Sequence, residues 1–254
     1  FPKSSALLNI QGGGQASLGR IDAALESYQQ ALRIDPNYTY AYYNLGNALK
    51  GAVLKKANPD LLNVINTVMS YKTLVRPIDI SSSVISLLKL EPIIQKVLRM
   101  ASVDEFGQSS MAVIVELSKL SPLLTFMSMC HLPDLELENV LKKLRLNLLM
   151  SVLDAAAPAE LLNLQSALAL QCYINGYIYG ETEREIKALK ILESSVKSEL
   201  SNGGWASFQS ILCLASYKPL NEYEWCDLIT SHSSIDEVLT QQIAEPRKQS
   251  LLKA

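Results

Sequence analysis

Between Ser5 and Pro36 the chain sets small residues at Gly12, Ala24 and Ala31 against large ones at Leu8 and Tyr28. These fall on two helix-length stretches, Ala6–Leu18 and Ile21–Ile34, separated by Gly19-Arg20. Few arrangements satisfy that pattern. Small side chains on both stretches let two antiparallel helices approach closely, and Leu8 and Tyr28 fill the space left between them. Pro36 ends the second stretch, because proline lacks an N–H and disfavours a helical residue before it. Advancing by one period of about 34 residues puts Tyr42, Leu45 and Gly46 where Leu8, Gln11 and Gly12 stood, so Thr39–Lys50 is expected to repeat the first helix. The pattern then lapses: Asn58 stands where Ala is wanted, and Lys55-Lys56-Ala57-Asn58-Pro59 interrupts the next helix.

This pattern resembles the tetratricopeptide repeat, with one full repeat and the first helix of a second inside residues 1–57. Two departures stand out. Gly12-Gly13-Gly14 lies within a helix, where each Gly costs about 1 kcal/mol relative to Ala, and Gln15 occupies a place where the family prefers a larger apolar side chain. The first helix is therefore expected to be loose, or to be held by an upstream repeat, since stacked units bury one another's faces. In such repeats the first helices line a concave peptide-binding groove. The resemblance implies that Asn9, Tyr43, Asn47 and Lys50 face it; the alternative is that they are simply solvated or cover the next helix.

Residues 58–254 show no repeat period but continuous helical signals, giving an all-α chain: a partial tetratricopeptide helical-hairpin array packed on a larger multi-helix domain. The expected helices are Asp60–Tyr71, one capped by Asp79 or Ser81 and running to Leu90, Pro92–Ser102, Ser110–Lys119, Leu123–His131 and Asp134–Val152. They continue with Ala159–Tyr179, Thr182–Leu200, Trp205–Ser216, Glu222–Thr230 and Ile235–Ala244. Thr182-Glu183-Arg184-Glu185 has capping-box form. Only Met111–Val115 competes as a strand. The uncharged run from Leu161 to Gly180 is long enough to span a bilayer, but Asn163, Gln165, Gln171 and Asn175 would be costly in hydrocarbon, so a buried helix and no membrane span are expected.

Chemistry is sparse. A net charge of −2 argues against nucleic acid, whose non-specific binding needs clustered Lys and Arg. Residues 1–127 hold 12 Lys and Arg against 9 Asp and Glu, net +3, and residues 128–254 hold 11 against 16, net −5. Cys130, Cys172, Cys213 and Cys226 are far apart among apolar neighbours and read as buried free thiols. With only His131 and His232 besides, no metal site is expected. Gly12-Gly13-Gly14 lacks the strand and Lys-Ser/Thr of a phosphate loop. Cys130 and His131 are adjacent and point about 100° apart on a helix, so they do not form a nucleophile pair. Glu181, Glu183 and Glu185 suit a helix first turn. The densest polar cluster is Gln171, Tyr173, Asn175 and Tyr177, with i,i+4 pairs at 171/175 and 173/177, read as either helix-end satisfaction or a possible cleft.

Lys72–Pro77, Ile85–Lys89 with Glu91-Pro92, Cys172–Asn175, Glu181–Glu185, Tyr217–Leu220 and Leu239–Pro246 resemble bacterial tetratricopeptide proteins carrying a helical middle region, for which the resemblance implies a regulatory role. In that group the region commonly precedes a class I S-adenosylmethionine-dependent methyltransferase domain. No strand followed by an Asp/Glu-x-Gly-x-Gly loop occurs here, so no cofactor and no cofactor residues are expected. The chain is read as a cytoplasmic piece of a longer protein. Its expected role is a non-catalytic module binding a protein, a peptide or a linked catalytic domain. The alternatives are part of a methyltransferase whose catalytic domain lies outside this chain, a hydrolase using Cys130 or His131, and an assembly scaffold. Oligomeric state is left open.

Overall fold

The computed structural model describes residues 4–70, 75–106, 110–229, 233 and 235–251, and among these there is no strand. His232, residues 72–74 of the Lys72–Pro77 segment and the end of the predicted 222–230 helix lie outside the described residues. The chain divides into two compact units, residues 1–95 with 121–126 and residues 96–120 with 127–254.

In the first unit, α1 (Ser5–Ser17) and α2 (Ile21–Ile34) form the hairpin that the small-residue spacing predicts. Gly19 takes φ +72°, and the Gly19 and Arg20 N–H groups bond back to Ala16 and Gln15 carbonyls, a glycine-capped helix end. A Cβ on Gly12 would sit 2.5 Å from the Tyr28 ring, so only glycine fits there; Ala24 and Ala31 are fully buried. Despite three consecutive glycines, α1 is continuous, and Gln15 is used: its Oε1 accepts from the Ser27 hydroxyl at 2.7 Å.

After α3 (Thr39–Leu49) come the expected break and helix. The Lys55–Pro59 break is a loop, and the chain resumes as α4 (Pro59–Ser70), which packs against both α2 and α3. Asn58, the mismatch in the repeat pattern, caps this helix: its Oδ1 accepts from the Leu61 N–H at 2.9 Å, with Pro59 in the first turn. It also exchanges amide hydrogen bonds with Gln29 of α2. The boundary expected at residues 57/58 thus falls inside the first unit. A short 3-10 turn (Pro77–Ile80) leads into α5 (Ser81–Leu88), which lacks the predicted side-chain cap because Asp79 pairs with Arg76 instead. Buried Ser83 donates to the Leu49 and Ala52 carbonyls and Ser86 accepts from the Leu54 N–H, fixing the loop that follows α3.

The unit boundary passes through α6 (Pro92–Ser102) and α8 (Ser121–Met129). Pro122 occupies the first turn of α8 rather than preceding it. In the second unit α7 (Met111–Leu117) is a helix, not a strand. There α9 (Leu135–Leu153), α10 (Leu162–Ile174), α11 (Glu183–Ser201) and α12 (Phe208–Ala215) build the core, with α10 packed on α9, α12 and α13 (Asp236–Leu239). Asp134 caps α9 by accepting from the Leu137 N–H.

Three predicted helices are corrected. The Ala159–Tyr179 helix begins with a 3-10 turn and ends at Ile174, because Gly176 adopts φ +69°. The Gly176 and Tyr177 N–H groups return to the Tyr173 and Cys172 carbonyls, a Schellman closure. In place of the 222–230 helix are two short 3-10 turns, Leu220–Glu222 and Cys226–Leu228, with Tyr223 stacked on Trp225 between them. The 235–244 helix continues through a π-helical stretch (Thr240–Ala244) into α14 (Glu245–Leu251). Pro246 has no N–H to donate to the carbonyl four residues earlier, and the wider stretch lies immediately before it. Buried Gln242 donates to the Ala169 and Ala215 carbonyls and accepts from the Leu220 N–H. No single helix among the described residues is long and apolar enough to cross a membrane.

Candidate functional site

Two groups of predicted site residues sit in separate units. In the first unit, Tyr43 and Asn47 lie one turn apart on α3, with Tyr43 exposed and Asn47 half-buried, and Lys50 is exposed at the end of the helix. Asn9 is buried rather than free in a groove: its Oδ1 accepts from Asn44 Nδ2 at 3.0 Å, which links α1 to α3. Sequence reasoning missed Asn44, three residues before Asn47, and Tyr40, three before Tyr43. Tyr40 is 70% and Tyr43 48% exposed, so α3 carries an unburied aromatic stripe beside its amides. Phenol rings held in water on a rigid helix are favourable contact groups, apolar in body and polar at the tip.

In the second unit the predicted cluster is brought together only in part. Gln171 is fully buried; it donates to the Met127 and Cys130 carbonyls at 3.0 Å and accepts from the Leu132 N–H at 3.2 Å. It satisfies the backbone where α8 ends. Tyr173 and Tyr177 meet edge to face at 6.3 Å, but Tyr177 reaches that position from the turn beyond the helix, at φ +55°. The Tyr177 hydroxyl donates to the Ala215 carbonyl, and burial pushes its pKa up. Asn175 differs: both atoms of its amide are buried and neither makes a hydrogen bond. Together with His131, Leu132, Glu138, Gln171, Ile174 and Ile178 it lines a cleft of about 260 Å³.

The same unit holds a buried charged centre that sequence reading did not anticipate. Arg145 of α9, only 2% exposed, donates to the Tyr179 and Gly180 carbonyls and to Glu185 Oε1 at 3.3 Å. Its guanidinium stacks on the Tyr217 ring at 4.0 Å. Glu185 Oε1 also accepts from the Tyr217 hydroxyl at 2.8 Å, and Oε2 from the Thr182 N–H and hydroxyl, completing the predicted capping box. Burial alone pushes the Glu185 carboxyl up. The Thr182 and Tyr217 hydrogen bonds and Arg145 outweigh it, so the group is held below its ordinary range and stays ionised. Both charges are sealed from solvent, so this centre ties α9, α11 and the start of the post-α12 segment together rather than meeting a substrate.

The groups most often used in catalysis are poorly placed for it. Burial pushes the Cys130, Cys172 and Cys213 thiols up to about 12, which suppresses the nucleophilic thiolate at neutral pH. Among the described residues no group of three or more His, Cys, Asp or Glu is placed to hold a metal ion. Gly12-Gly13-Gly14 lies inside α1, not at a helix start.

Residues 16–51, from the end of α1 through α2 and α3, match the family model described as TPR repeat. The match supports the tetratricopeptide reading of these helices, and repeats of this family generally mediate protein–protein interaction and are generally non-catalytic. No curated protein and no solved structure matches the chain.

Proposed function

We propose that this chain is a non-catalytic binding module whose first unit holds a segment of a partner protein against α3. The observation that carries this reading is the exposed Tyr40–Tyr43 stripe beside Asn47 on a helix of the matched repeat. The tyrosines supply anchoring area, Asn47 offers a donor and an acceptor to a peptide main chain, and Lys50 supplies a cation at one end. The Asn9–Asn44 hydrogen bond fixes α1 against α3, so the face is rigid before a partner arrives. The narrower identity of the partner, a linked S-adenosylmethionine-dependent methyltransferase domain of a bacterial cytoplasmic protein, rests on the sequence resemblance alone.

Peptides selected from a displayed random library on the full chain, then titrated by fluorescence anisotropy, test the face. Tyr43→Ala with Asn47→Ala should weaken them at least tenfold, the loss expected when one or two anchoring side chains of about 1–2 kcal/mol are removed. Unchanged affinity in the folded double variant would sink the assignment to α3. Calorimetric titration with S-adenosylmethionine should give no binding heat, and saturable binding would overturn the non-catalytic reading.

A further inference from the structure

The cleft at the end of α10 is independent of the α3 face and is built from different chemistry. Among the described residues, several buried side chains leave one polar atom without a hydrogen-bond partner, but only Asn175 leaves two, a donor and an acceptor on the same amide. The amide lies near the Tyr179 phenol, close enough to oppose the rise that burial imposes on that group but without hydrogen-bond geometry. A buried amide with neither half satisfied is costly unless something completes it. The ligand group complementary to one donor and one acceptor side by side is another amide.

The rest of the lining narrows the choice. Leu132, Ile174 and Ile178 give the cleft an aliphatic wall, and Ile178 is 64% exposed at its edge. Glu138 supplies an anionic group, His131 an exposed imidazole, and residues 128–254 carry 16 Asp and Glu against 11 Lys and Arg. At about 260 Å³ the space is below the roughly 300–1,000 Å³ of a drug-sized site. It admits one side chain and a peptide group, not a large cofactor. We propose that this cleft is a second peptide-binding site, which takes a short basic-aliphatic segment through one main-chain amide on Asn175, its aliphatic side chain against Ile174 and Ile178, and its cation at Glu138.

The test uses the full chain, isotopically labelled, and two blocked dipeptides, N-acetyl-Leu-Lys-amide and N-acetyl-Leu-Glu-amide, followed by NMR. The Asn175 side-chain NH2 resonances should shift saturably with the lysine peptide and at least threefold more weakly with the glutamate peptide. That preference should disappear in Glu138→Gln, a change at a partly exposed position that leaves the fold intact. Asn175→Ala should abolish the accompanying saturable shifts of the Ile174 and Ile178 backbone amides, while the fold becomes no less stable, because an unsatisfied buried amide is removed. Absence of any shift at the Asn175 amide, an equal response to both peptides, or undiminished binding by Asn175→Ala would each overturn the proposal. Loss of α3 binding in Tyr43→Ala/Asn47→Ala leaves these readouts unmoved, so the two sites are tested separately.

Discussion

Three neighbouring glycines in α1 have different physical standing, which only the packed structure separates. A Cβ on Gly12 would sit 2.5 Å from a Tyr28 ring that is itself only 2% exposed and has nowhere to go. Gly13 and Gly14 have open space at the same position. Gly12→Ala should therefore destabilise the chain by about 1–3 kcal/mol, the usual cost of overpacking. Gly13→Ala should stabilise it by up to about 1 kcal/mol, through the lost backbone freedom of the unfolded chain. Urea unfolding of the two variants should move the midpoint in opposite directions, and a shift of the same sign would contradict the assignment of Gly12 to the interhelical contact. A second residue-scale test concerns Ala155, which closes α9 at φ +51°, a left-handed conformation that disfavours a residue bearing a Cβ. Ala155→Gly should gain about 1 kcal/mol from that strain, less what glycine adds in unfolded-state entropy, and the net shift in the same assay should be stabilising.

At the scale of elements, the capping box of α11 does more than start a helix. Its Glu185 also binds Arg145 of α9 and the Tyr217 hydroxyl, so a local motif is joined to a buried ion pair. Arg145→Met removes one partner of that pair and should cost about 3–5 kcal/mol at pH 7, whereas Thr182→Ala, which removes the cap and the hydroxyl bond to Glu185 but leaves the Thr182 N–H and Arg145 in place, should cost about 1–2 kcal/mol. The folded-state carboxyl is held below its ordinary value of 4.5. Its contribution is therefore full above that value and lost as pH falls through the lower folded one. The deficit of Arg145→Met should accordingly narrow as acid protonates Glu185, which urea midpoints at pH 7 and pH 3.5 would measure; a constant deficit would argue that the ion pair adds nothing. The capping box was legible because its residues are three apart. The Arg145 pairing was not, because its hydrogen-bond partners lie 34 to 40 residues further along the chain, where periodicity carries no information. The same contrast runs through the helices. Apolar spacing predicts α2, α6 and α9 almost to their ends, but it overruns α10, since a glycine within a helical pattern does not announce that it will turn left-handed. It also misses the turns around Tyr223 and Trp225, where ring stacking replaces a regular ladder. Of the predicted site residues, Tyr43 is exposed and Asn47 half-buried on α3. That the Asn175 amide lacks a partner depends on tertiary neighbours that spacing along the chain does not reveal.

For the whole molecule, the decisive question is where the chain can be cut. The lapse in the repeat pattern at Asn58 suggests a boundary there, yet α4 packs on α2 and α3 and belongs to the first unit. Leu61, Leu62, Ile65, Val68 and Met69 are all buried on α4, and residues 1–57 supply part of what covers them. A fragment of residues 58–254 should therefore expose a contiguous apolar face, bind a hydrophobic dye and associate at micromolar concentration. Residues 1–57 alone should lose helical circular dichroism, because three helices without the fourth leave α2 and α3 uncovered. Extending the N-terminal fragment to residue 95 restores α4 and α5, together with the Ser83 and Ser86 hydrogen bonds that hold the loop after α3. It should recover much of that helical signal and melt more cooperatively than residues 1–57. A monomeric 58–254 fragment that does not bind the dye, with a melting temperature equal to that of the full chain, would instead return the boundary to Asn58 and make α4 dispensable to the repeat.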